Sequence, residues 1–159
     1  MKYYMIEPEV AGEIGENTIY DNYDEIINQK KKPIISHLHY IFDGWLGDEL
    51  LEVTPCFLIS ERLKKEIENH GFSGCRFADV EVSYSDEFLE IYPIRKVPKF
   101  YRMIPLKTVF VENDGYINQD MDDFMLTQKS YLIISENVKN LLNNMNFAEN
   151  ADYILLETR

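Results

Sequence analysis

The segments starting at Cys56 and Tyr131 run almost in step. Cys56-Phe57-Leu58-Ile59-Ser60-Glu61-Arg62-Leu63-Lys64 aligns with Tyr131-Leu132-Ile133-Ile134-Ser135-Glu136-Asn137-Val138-Lys139 at a constant offset of 75, which continues at Asn69/Asn144 and Phe72/Phe147. Each copy opens on four apolar residues, the signature of a buried strand, followed by Ser and Glu. That pair suits a helix start, because the Ser hydroxyl accepts a free N–H of the first turn and an acid there favours the helix dipole. Helices are therefore expected from Ser60 and Ser135, with apolar stripes at Leu63/Ile67 and at Val138/Leu141/Leu142/Met145. Gly71 and Asn146, two residue types that accept the left-handed conformation, should end them. A strand follows each, over 76–84 and 152–157. The chain thus contains two strand-helix-strand units, 56–84 and 131–157, too few for a solenoid. Because strand, Ser and helix is also a common local solution, duplication and coincidence both stay open on the residues alone.

Elsewhere the pattern is β-rich. Residues 2–6 read as a first strand, and 34–42 carry apolar groups on both faces, as a central strand does. Ser85 can cap a short helix that Pro93 stops, residues 99–111 read as one or two strands, and Asn113-Asp114-Gly115 reads as a turn. Seven strands (2–6, 34–42, 56–59, 76–84, 99–111, 131–134, 152–157) with three helices imply an α+β fold with a mixed sheet. At 159 residues, with no linker-like stretch, residues 1–159 are expected to form a single domain. A 45% hydrophobic content with 11 Tyr and 9 Phe excludes a disordered chain.

The opening MKYYMIEPEV lacks the apolar core of a signal peptide, and no run approaches the ~18 apolar residues of a membrane span, so a cytoplasmic location is expected. Two cysteines, Cys56 and Cys75, make no disulfide framework and are expected to be reduced and buried. Formal net charge is -12, spread as -7 over residues 1–80 and -5 over 81–159. Such a field disfavours nucleic acid and attracts basic partners, and it also suits plain solubility. The one basic patch is Arg95, Lys96, Lys99 and Arg102.

Residues 36–61 hold the only Trp, two of the three His and an acidic elbow, Asp43-Gly44-Trp45-Leu46-Gly47-Asp48, between two apolar runs. Trp45 has two readings, a core anchor beneath the elbow or an interface hot spot. Taken with Glu7-Pro8-Glu9-Val10-Ala11-Gly12, Glu87-Phe88-Leu89-Glu90-Ile91-Tyr92-Pro93 and Leu132-Ile133-Ile134-Ser135-Glu136, the block resembles a bacterial family. That family is the immunity proteins of polymorphic toxin systems, long described only as a domain of unknown function. The motifs fall in order across nearly the whole chain, apart from 20–32 and 111–123, where specificity for one toxin would then lie. The resemblance implies a cytosolic inhibitor whose partner is a cognate toxin domain; from the residues themselves no catalysis, cofactor, nucleic acid or membrane is expected. The residues expected to meet that partner are Asp43, Trp45, Asp48, Glu49 and Glu52 in the elbow and Asp120, Asp122 and Asp123 later on. Their carboxylates would cover a basic active-site cleft.

His37 and His39 stand two residues apart on one strand, a spacing able to place two metal ligands, with Asp43, Asp48 or Glu49 completing a site. The alternative they offer is a small metal-assisted hydrolase; a scaffold subunit is a third. The chain has no GxSxG, P-loop, GxGxxG or HExxH motif, which leaves binding as the expected mode of action.

Overall fold

The computed structural model describes residues 1–29, 31–112, 115–117 and 122–158. Its strands are β1 (Tyr3–Glu7), β2 (Gly12–Ile14), β3 (Ile19–Tyr20), β4 (Ile35–His37), β5 (His39–Phe42), β6 (Leu50–Val53), β7 (Cys56–Ser60), β8 (Cys75–Ala78), β9 (Glu81–Tyr84), β10 (Phe100–Pro105), β11 (Thr108–Val109), β12 (Tyr116–Ile117), β13 (Phe124–Thr127), β14 (Leu132–Ser135) and β15 (Asp152–Thr158). The helices are α1 (Tyr23–Gln29), α2 (Glu61–His70), α3 (Asp86–Ile91) and α4 (Glu136–Asn144). The fold is α+β, with strands in sheets ordered β11-β13-β14-β1-β15-β12, β6-β7-β10-β8, β2-β5-β9 and β3-β4.

The two related units are built alike. Ser60 and Ser135 are N-caps with extended backbone (φ -68, ψ 160 and φ -73, ψ 162), and their hydroxyls accept from the N–H of Leu63 and Val138 at 3.1 and 3.3 Å. Each hydroxyl then donates to a carboxylate, Ser60 to Glu49 at 2.8 Å and Ser135 to Asp123 at 2.6 Å. Gly71 (φ 65) and Asn146 (φ 54) end the helices in the left-handed region, as their residue types predict. The N–H of Phe72 then returns to Ile67 O and that of Phe147 to Leu142 O. Replacing Ser135 by Ala should cost about 1–2 kcal/mol, since it frees a first-turn N–H and strips Asp123 of a donor. A lowered urea midpoint with an unchanged slope would show it.

The likeness extends to strands the periodicity does not reach. β6-β7-β10-β8 and β13-β14-β1-β15 have the same order, each with an antiparallel strand wedged between the two strands of the unit. Phe100 lies opposite Ser60 as Tyr3 lies opposite Ser135, and Met103 opposite Phe57 as Ile6 opposite Leu132. The wedged strand follows its unit in one case and precedes it in the other. The units also reach across to each other: Glu49 N–H donates to Phe147 O (2.7 Å) and Phe124 N–H to Ser73 O (3.1 Å). Neither unit buries its apolar face alone, and Phe57, Ile59, Leu63 and Ile67 share one core cluster with Leu132, Ile134, Val138, Leu142 and Phe147.

β7 is buried along its whole length because both faces are covered. Phe57 and Ile59 enter the shared core, while Cys56 and Leu58 enter a second core with Leu38, Tyr40, Phe42, Trp45, Phe88 and Phe100. A strand covered twice reads as a continuous apolar run rather than an alternating one.

Four expectations need correction. Residues 76–84 are two strands, β8 beside β10 and β9 beside β5, in different sheets. Residues 34–42 are likewise β4 and β5, pairing with different neighbours on either side of the fully buried Leu38. The 20–32 stretch contains α1, a fourth helix with Asp24 and Glu25 in its first turn. The expected single mixed sheet is divided, because the second core needs its own covering strands. The predicted turn at Asn113-Asp114-Gly115 rests on Asn113 and Asp114, outside the described residues.

Candidate partner-binding surface and the histidine pair

The elbow is held from within. Glu9, just after β1, reaches under it: its Oε2 accepts from Leu46 N–H at 2.7 Å and its Oε1 from Asp48 N–H at 3.1 Å. Burial pushes the Glu9 carboxyl up, opposed by those two donors. Trp45 is only 6% exposed, packed edge-on to Phe42 and Phe100, and donates Nε1–H to Asp48 O at 2.8 Å. The Arg95 guanidinium lies 4.4 Å over its ring and donates to Trp45 O at 2.6 Å. Asp48 is buried too, and its carboxylate accepts from Asn150 N–H (2.8 Å) and Nδ2 (2.9 Å).

This placement corrects the picture of an outward row of carboxylates. Trp45 and Asp48 face inward because the Asp48 carbonyl accepts the indole N–H and Asn150 supplies the donors that a buried carboxylate requires. The Glu49 side chain is 14% exposed, held by Ser60 and by an ion pair with Arg62. Asp123 is occupied by Ser135 and by the N–H and hydroxyl of Ser73. Glu52 is half-buried, and Asp122 sits against Gly74. Asp120 lies outside the described residues. Asp43 is exposed, and it accepts from the Ser85 hydroxyl at 2.7 Å.

Ser85 is the N-cap of α3, so that bond joins the elbow to the helix. On α3 Asp86, Glu87 and Glu90 are exposed along with Leu89 and Ile91, and so are Leu46 in the elbow and Ile94 after the helix, the last of them 93% exposed. Phe42 packs edge-on to Trp45 and tilted against Phe88, and Phe88 packs tilted against Tyr92. Sequence reading singled out the 87–93 motif without assigning α3 a site role. The signal available there was Leu89 and Ile91 beside Phe88, too many apolar residues for a six-residue helix with one buried position.

His37 and His39 do converge, on Glu81 rather than on Asp43, Asp48 or Glu49. The reason is register: β9 runs parallel to β5 and sets Glu81 opposite His39. His37 Nε2 lies 2.9 Å from Glu81 Oε1, and His39 Nε2 lies 3.6 Å from Oε2 and 2.8 Å from the Ser83 hydroxyl. These contacts and a bond from Asn17 Nδ2 hold the Glu81 carboxyl below its usual range, the Asn17 bond contributing most. The Nδ1 of His39 accepts from Asn17 N–H at 3.3 Å, which assigns the ring proton to Nε2 and makes His39 a donor toward Ser83. That tautomer cannot take a proton from the hydroxyl. A Cβ at Gly15 would stand 2.2 Å from His39 Nδ1, so the ring is packed against bare backbone. Among the described residues, no three His, Cys, Asp or Glu are grouped to hold a metal ion. Both thiols are free and raised by burial, Cys75 to about 12; Cys56 is buried, but Cys75 is only half-buried. Neither is a thiolate at neutral pH.

The fold and these sites define an α+β domain with a paired strand-helix-strand core and a mixed acidic and apolar surface over α3. Comparison with protein-family models and with curated proteins gives no match to the chain. Among the described residues, no helix is long and apolar enough to cross a membrane.

Proposed function

We propose that this protein is an immunity-type inhibitor that binds a cognate toxin domain and covers its active site. The observation that carries the reading is the α3 junction, where exposed Leu89, Ile91 and Ile94 stand among the carboxylates of Asp43, Asp86, Glu87 and Glu90. Large apolar anchors give a complex its lifetime, and the acidic rim and the net charge of -12 speed its encounter with a basic cleft. The motif resemblance supports the same reading, and so does the packing, which ties α3 through Phe88 to the buried aromatic cluster of Phe42 and Trp45.

Capture of partners from the native cell lysate, followed by rate measurements on the retained toxin domain, tests it. The association rate should fall at least about tenfold between low and high salt. Glu87→Lys with Glu90→Lys should slow association, while Ile91→Ser should speed dissociation. Failure to retain any toxin-like polypeptide would sink the reading, and a salt-insensitive rate would sink the electrostatic part of it.

A further inference from the structure

Away from α3, β8 and β10 turn two arginines toward one face of their sheet. Arg102 lies opposite Ala78 and Ile104 opposite Arg76, so Arg76 and Arg102 are diagonal neighbours on that face. They line an open cleft of about 290 Å³, with Lys32 at its rim and Ile34, Ile104, Pro105 and Leu126 as apolar wall. No carboxylate is among the described residues lining it, in a chain with 28 acidic and 16 basic residues. Among the described residues neither arginine forms an ion pair. Nη1 of Arg102 donates to Ile35 O at 2.6 Å, while its Nε–H is buried without an acceptor. A guanidinium with an unmet donor costs stability, and a like charge beside it adds to that cost.

From this juxtaposition we infer that the cleft binds a small organic monocarboxylate with an apolar body. Its head meets the two guanidinium groups and its body lies along Ile34, Ile104 and Leu126. The planar fork of arginine matches the two oxygens of a carboxylate. The cleft volume lies at the small end of ligand pockets, and its apolar wall disfavours a fully hydrated dianion such as phosphate. This site is independent of the toxin-binding surface and survives the failure of that proposal.

Titration of the isotopically labelled protein with hexanoate, followed by amide NMR shifts, provides the test, with hexanol and inorganic phosphate as separate probes. Saturable shifts with hexanoate, confined to β8, β10, residues 32–35 and the neighbourhood of Leu126, are the expected result. Arg76→Gln, at an exposed position with no ion pair to lose, should weaken binding about tenfold. Ile34→Ser should weaken it as well. Non-saturating shifts, or an Arg76→Gln protein that binds hexanoate as before, would overturn the inference. Hexanol binding as tightly would remove the role of the charge, and phosphate binding as tightly would remove that of the apolar body; either result overturns the assignment.

Discussion

Replacing Trp45 by Ala is expected to destabilise the fold by about 3–5 kcal/mol, the range for removing a buried aromatic from a packed core. Three losses coincide at this position. The ring leaves edge contacts with Phe42 and Phe100, Asp48 O loses the indole donor, and Arg95 loses the face it stacks on. In a chain of this size the melting temperature should fall by roughly 10 °C. Trp45→Phe should cost less, because it keeps the ring contacts and forfeits the N–H. The measurement is a melting curve for each variant beside its partner affinity. Lost binding with an unchanged melting temperature would mean that the indole acts at the surface, contrary to its burial.

Stability should also fall as pH rises from about 4.5 to about 7, and Glu52 should be the main source. Burial, reinforced by the negative charge of Glu7, pushes its carboxyl from 4.5 up to about 7. An acid whose folded pKa is raised favours the folded state while it is protonated. That contribution is complete below about pH 4.5, is lost across 4.5 to 7, and is gone above. The gap between the two values corresponds to about 3 kcal/mol before relaxation, so a measured loss on the order of 2 kcal/mol is expected. Glu9, also raised, acts in the same direction, while the lowered Glu81 carboxyl titrates below this window and leaves the fall unchanged. Denaturant midpoints at pH 5 and pH 8 should separate in the native protein and converge in Glu52→Gln, which should be the more stable of the two at pH 8. An equal separation in both proteins would assign the effect elsewhere. Partial protonation at neutral pH also makes Glu52 a weak contributor to any acidic face.

The α2 and α4 starts were legible because an N-cap is a local device: Ser60 and Ser135 each bond an N–H three residues on. Gly71 and Asn146 were legible for the same reason, since a left-handed residue ends a helix whatever surrounds it. The single-strand readings of 34–42 and 76–84 failed because sheet membership depends on partners distant in the chain. Nothing near Leu38 or Val80 announces that the pairing changes there.

The candidate site divides along the same line. The elbow could be found from its glycines, its Trp and its acids, but the direction in which each acid faces depends on what meets it. Asp48 turns inward because Asn150, 102 positions later, offers it two donors, and Asp123 is occupied because Ser73 and Ser135 reach it. Charge, composition and the two strand-Ser-helix patterns were properties of the sequence by itself, each resting on residues close together along the chain. Only the tertiary structure decided that β1 and β10 complete the two units, that α3 supplies the exposed surface and that Arg76 and Arg102 share a cleft. All three are meetings of segments far apart in sequence, brought together by burial of a common core, and local periodicity carries no record of which segments will meet.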